Sequence, residues 1–315
     1  MKRTSSITIL LILALAACGR ATPPTLTLPP PTLTSIPPTL APTATNTPAP
    51  TATKVWTGGT FPVETSNLTI NYPDFLDRNE ANKQAEILQK AYDAYLALFG
   101  KEAPYGGKKI TINFDRELKD ISYAGNPIRM GTDSEIFSGR VNPPAGAYYY
   151  LLVFDFTLAG GTQAARYIGL NSAMAAAFAD YFAYYFGHEV LKYSAADIQW
   201  YDGIRADRLD RLAAYESQKI DPYSLEWKHH TDPHYYFEGM LYRVSDKCGW
   251  GVWQQFFVLA KSSGNPGLPS DWVGQLNDMR APAAKKAFSD FVTLLSQACA
   301  QNLRPMFQSW RFELP

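Results

Sequence analysis

No aromatic residue occurs before Trp56. All 7 Trp, 19 Tyr and 17 Phe of this 315-residue chain lie at or after it. The 34 positions from Arg20 to Thr53 contain 10 Pro, 11 Thr and a single charge, Arg20. A segment of that composition cannot bury enough apolar surface to offset its ordering entropy. Repeated proline favours extended polyproline II, at about 3.1 Å per residue, so the segment reads as a spacer with a reach of roughly 100 Å. Thr-Pro runs of this kind also serve as O-glycosylated stalks. The foldable part is therefore confined to the last 260 residues (315 less the first 55), enough for one large core or two tightly packed subdomains.

The start of the chain has its own logic. Lys2 and Arg3 precede an apolar run from Ile7 to Leu15, followed by Ala16, Ala17 and Cys18. A basic start, a short apolar run and small residues before a cut site form a secretory signal. The run is shorter than the roughly 20 residues that span a bilayer. Leu15-Ala16-Ala17-Cys18 resembles a bacterial lipobox. That resemblance implies cleavage before Cys18 and acylation of its thiol. It predicts a signal peptide over 1–17, a lipidated tether over 18–55, and a domain held by membrane lipid on the extracytoplasmic side of the cell envelope.

Charge narrows the partner classes. Lys2, Arg3, Arg20 and Lys54 lie ahead of the domain, leaving 25 of the 29 basic residues against all 29 acidic ones. A domain near −4 without a basic cluster excludes a nucleic-acid face. With Cys18 assigned to lipid, Cys248 and Cys299 form an even pair in an oxidising compartment. They read as a disulfide or as two buried thiols.

The domain reads as α+β, a small mixed sheet-helix part over 56–143 followed by a mainly helical part over 144–315, together one globular unit. Strands are expected at Leu68–Tyr72, Lys109–Phe114 and near Ile128–Met130. Helices are expected at Asn79–Phe99, Ser172–Phe186 with Gly187 ending it, from Ser194 to about Ser217, Pro233–Cys248, Gly251–Ala260 and Ala283–Gln301. Tyr148–Leu158 fits strand or helix equally.

The order of pieces carries a resemblance. A helix ending in Phe99-Gly100 precedes the strand Lys109-Ile110-Thr111-Ile112. A turn with Gly125-Asn126-Pro127-Ile128 follows, then Ala179-Asp180-Tyr181-Phe182, and the chain closes with Asn302-Leu303-Arg304-Pro305-Met306-Phe307-Gln308-Ser309-Trp310. From Asn79 to Phe312 this resembles the gluzincin metallopeptidases, which implies a zincin-like fold. Members of that family hold zinc with two His of an H-E-x-x-H helix and a Glu on the next helix, with the Glu of the motif as general base. In the matching register the third ligand falls on Ala176, and the five-residue motif on Val153, Phe154, Asp155, Phe156 and Thr157. None is His or Glu. No His precedes His188, so no shift of register restores the motif. The resemblance therefore implies a degenerate domain without zinc or other cofactor, binding an unknown peptide, glycan or envelope protein.

Two other groupings are weighed. His188-Glu189-Val190-Leu191-Lys192 is half of a zinc motif with lysine at the second ligand position, and reads as a solvated helix end. His229, His230, Asp232 and His234 are the densest set of ligand types. They read as a capping loop, with Asp232 as N-cap and Pro233 at N1. Alternatively, His229, His230, His234 and Glu238 form a non-standard hydrolase site, the one reading that would use zinc. Paired carboxylates for glycoside chemistry could be drawn from Asp202, Asp207, Asp210 and Glu238, but Asp207 and Asp210 interleaved with Arg205, Arg208 and Arg211 read as a salt-linked helix face. A spacer or assembly subunit without any ligand cleft is the third functional class.

Overall fold

The computed structural model describes residues 56, 58–99, 101, 103–115, 117–118, 122–123, 125–131, 171–190, 192, 195–227, 231–263 and 278–314. All belong to one compact unit, Thr53–Pro315. The signal peptide, Cys18, the tether, Val153–Thr157, Tyr148–Leu158, His229 and His230 lie outside the described residues.

The architecture is α+β and mainly helical. Among the described residues, five strands, β1 (Thr60–Glu64), β2 (Leu68–Pro73), β3 (Ile110–Asp115), β4 (Ser122–Tyr123) and β5 (Ile128–Gly131), form a mixed sheet in the order β1-β2-β3-β5-β4. β2, β3 and β5 run parallel, and β1 and β4 close the edges antiparallel. Register puts Ile70 beside Ile112 and Ile112 beside Ile128. One sheet face is therefore Leu68, Ile70, Tyr72, Ile110, Ile112, Phe114, Ile128 and Met130, all buried. The alternating residues Asn71, Asn113 and Arg129 form one polar row on the other face.

Helix α1 (Arg78–Leu98) links β2 to its parallel neighbour β3. Asp77 caps it, its carboxylate accepting from the backbone N–H of Asn79 and Glu80 at 2.9 and 3.1 Å. Ala81, Ala85, Leu88, Ala91, Tyr95 and Leu98, spaced by three and four, form its buried stripe. Among the described residues, six helices follow: α2 (Ser172–Tyr185), α3 (Ala195–Ser217), α4 (Asp232–Cys248), α5 (Val252–Ser262), α6 (Pro282–Cys299) and α7 (Arg304–Ser309). Aromatic contacts join α1, α2 and α5, with Phe99 stacked 4.2 Å from Phe257 and Phe178 edge-on to Trp253 at 5.5 Å. Among the described residues, no helix is long and apolar enough to cross a membrane.

Three local expectations need correcting. β1 was not foreseen, because Thr-Phe-Pro-Val-Glu lacks an apolar run and Pro62 is tolerated only on the edge where it lies. Gly187 does not end α2; the backbone widens into a π-helical turn, Phe186–Val190, with Gly187 buried inside it. The N-cap of α4 is Thr231, not Asp232, which is the first helical residue with Pro233 after it.

Cys248 and Cys299, the last residues of α4 and α6, are disulfide-bonded, with Cα atoms 5.2 Å apart. The bridge closes a 51-residue separation, worth about 4 kcal/mol in the chain-entropy model. The double variant C248S/C299S is expected to lose stability on that order. Denaturant midpoints of the oxidised wild type and the variant measure it, and equal midpoints would contradict the expectation.

Candidate functional site

Among the described residues, the buried His and Glu side chains lie where α2, α3 and α4 meet. Helix α3 offers Arg205, Arg208 and Arg211, one per turn. Helix α4 answers with Asp246, Glu238 and Asp232 in reverse order. Arg205 Nη2 donates to Asp246 at 2.6 Å, Arg208 Nε to Glu238 at 2.7 Å, and Arg211 Nη1 lies 3.5 Å from Asp232. Reverse order means that the two helices run antiparallel. The outer pairs are exposed and contribute little. The middle pair is different, because Glu238 has no exposed surface and the Arg208 side chain only 16%.

Gly239 allows that pair to form. A Cβ built there would meet the Arg208 carbonyl oxygen at 2.7 Å and Leu212 Cβ at 3.0 Å. Only a glycine permits α4 to approach α3 so closely. The Tyr235 ring then lies under both guanidinium groups, 4.2 Å from Arg208 and 4.7 Å from Arg211.

His234 and Glu238 are one helical turn apart, so both side chains project from one face of α4. That face packs on α2, where Asp180 is the only charged residue of the helix. His234 Nε2 and Asp180 Oδ2 are hydrogen-bonded at 2.8 Å. Tyr242 donates its hydroxyl to Glu238 Oε1 at 3.0 Å. Donor atoms of Asp180, His234 and Glu238 all lie within 4.8 Å of one another. Among the described residues this is the group of His, Cys, Asp and Glu that could hold a metal ion. His234 is 2% and the Asp180 side chain 29% exposed, so Asp180 is its wet edge.

Burial pushes the Glu238 carboxyl well above the usual carboxylate range, and the charge of Asp180 adds to this; Arg208 and the Tyr242 hydroxyl pull against it. Burial also raises the Tyr242 hydroxyl, with Glu238 reinforcing the shift. Burial acts to lower the Arg208 guanidinium, yet Glu238 and Asp207 together hold it above its ordinary value. Chemically the cluster offers one imidazole, one wet carboxylate and one dry carboxylate held between a cation and a phenol.

The sequence-predicted positions distribute as follows. His234 and Glu238 lie on one face of α4, while His229 and His230, the other members of the non-standard site, lie outside the described residues. Asp180, which sequence reasoning did not assign, completes the group; its signal is a lone acid in an otherwise uncharged, Ala- and aromatic-rich helix. Ala176 lies one turn before Asp180, fully buried in the core. A methyl group offers no donor, so this residue does not fit the zinc of the resembled family. His188 Nδ1 and Lys192 Nζ both bond to Glu189, each at 2.9 Å, on a partly exposed turn. Asp207 bonds to Arg208 and Arg211 as the salt-linked reading required, but Arg208 also reaches across to Glu238, which that reading missed.

Comparison with known protein families gives no match, and comparison with curated proteins gives no relative.

The two members of the buried pair differ in what remains when the other is removed. Without Arg208, Glu238 keeps the Tyr242 hydroxyl. Without the Glu238 charge, Arg208 keeps Asp207 and some water. Arg208→Met is therefore expected to cost about 3 kcal/mol, the lower end for a broken buried pair. Glu238→Gln should cost less, and R208M/E238Q should regain most of the loss; equal, additive losses in a denaturant double-mutant cycle would refute the pairing. Gly239→Ala should cost about 1–3 kcal/mol through overpacking, and a thermal melt coincident with wild type would show that α3 and α4 are not held at this distance.

Proposed function

We propose that the chain is a lipid-anchored, extracytoplasmic domain of degenerate gluzincin type that binds a peptide, glycan or envelope partner without cleaving it. The observation that carries this reading is Ala176. The helix that holds the third zinc ligand in the resembled family is here an uninterrupted core element, from Ala173 to Ala179, buried at every position. Together with the absence of any His before His188, it leaves that catalytic site without ligands or base. Acylated Cys18 and the Pro/Thr-rich tether supply the anchor in this reading. In this reading a stable anchor requires more than one acyl chain on Cys18, since a single chain holds only marginally.

Two measurements test it. The full-length protein, purified in detergent, should show no cleavage of casein or of a mixed peptide library, with or without added Zn²⁺. Turnover dependent on the purified chain would overturn the non-catalytic reading. Cys18→Ser should move the protein from the membrane fraction to the soluble or unprocessed fraction, and unchanged membrane retention of a processed C18S chain would overturn the lipid anchor.

The convergence of His234 and Glu238 favours a second reading, a hydrolase working through His229, His230, His234 and Glu238. In that case H230A/H234Q, checked for folding by circular dichroism, should lose all hydrolysis, and activity equal to wild type would eliminate it.

A further inference from the structure

We infer that Asp180, His234 and Glu238 form a binding site for one divalent transition-metal ion of the zinc class, clamping α2 to α4. The donor set is one imidazole nitrogen and two carboxylates, from helices 54 residues apart in sequence at the Asp180–His234 contact. Imidazole with carboxylate suits zinc and its borderline neighbours. Calcium and magnesium demand about six oxygen ligands, which this site does not offer.

Geometry carries the inference. Donors around one tetrahedral ion with bonds near 2.0–2.2 Å lie about 3.4 Å apart. Asp180 Oδ2 and His234 Nε2 are already 2.8 Å apart, and the full set is within 4.8 Å. The adjustment needed falls on Asp180, the partly exposed member. The other two donors are fixed: His234 and Glu238 share one rigid helical face, and Glu238 is held by Arg208 and Tyr242 at 2.7 and 3.0 Å. Partners of this kind orient ligating carboxylates in metal sites. Each carboxylate oxygen has two lone pairs, so these bonds leave acceptor capacity for an ion.

Charge points the same way. A buried and a partly exposed carboxyl group converge beside one guanidinium. A dication would take up the mutual repulsion of Asp180 and Glu238 and replace the proton between Asp180 and His234. The inference does not depend on the non-catalytic reading. Metal binding without cleavage leaves both standing, whereas cleavage would overturn that reading alone.

The test uses the full-length, untagged protein stripped with a chelator and titrated with Zn²⁺ and with Co²⁺ as a visible probe. One equivalent should bind. Asp180→Asn and His234→Gln should each weaken binding at least tenfold, the scale set even by partners one step removed from a metal, and should remove the zinc-dependent rise in Tm. H229A/H230A should bind as wild type does, which separates this site from the neighbouring histidines. No binding, equal binding by D180N and wild type, or loss confined to H229A/H230A would overturn the inference. D180N alone decides if H234Q does not fold, because Asp180 lies at the wet edge.

Discussion

A carboxyl group with no exposed surface has to be answered by hydrogen-bonding partners, and the packing of α3 against α4 follows from how Glu238 is answered. Arg208 can reach it only if α3 and α4 are nearly in backbone contact. That contact exists only because position 239 has no side chain, with the Arg208 carbonyl 2.7 Å from where one would begin. The approach fixes the antiparallel order of the flanking pairs Arg205–Asp246 and Arg211–Asp232. It places Tyr235 beneath two guanidinium groups and turns His234 toward α2. A buried ion pair of this kind does not add much net stability compared with apolar residues of the same volume. Its retention in a core otherwise rich in aromatic rings is therefore better explained by specificity of helix register, or by what the cluster binds, than by stability alone.

Much of the fold was legible because its helices obey local rules. Asp77 before Arg78, the three-and-four spacing from Ala81 to Leu98, and Pro282 at the start of α6 mark boundaries that need no tertiary information. Strands β2 and β3 alternate clearly enough to reveal the buried face. What escaped depends on neighbours. β1 exists because β2 offers an edge, and two-residue β4 because β5 does. The π-helical turn at Phe186–Val190 keeps Gly187 inside a helix that its sequence suggests should end.

The site was half legible for the same reason. Spacing by four puts His234 and Glu238 on one helical face, which a sequence alone can say. Sequence proximity drew attention toward His229 and His230. The third member, Asp180, comes from a helix 54 positions earlier, and only packing brings it in. Likewise, Arg205, Arg208 and Arg211 resemble an exposed charged stripe, since a helix with mixed charges on one face usually meets water. Here the stripe meets α4, and the distinction lies in Gly239, one residue whose meaning appears only when the facing backbone is known.

A catalytic metal keeps one coordination position open to its substrate, while a structural one is closed by protein. Among the described residues, two of the three donors here are at 2% exposure or less, and only Asp180 reaches water. An ion is small enough to enter at such an edge. The enclosed position is also compatible with the non-catalytic domain proposed above. An ion held between α2 and α4 would reinforce the contact that Gly239 permits and Arg208 balances, and it would do so one turn away from Ala176, where the resembled family places its own ligand. The metal ion inferred above would, on that account, serve to hold helices together.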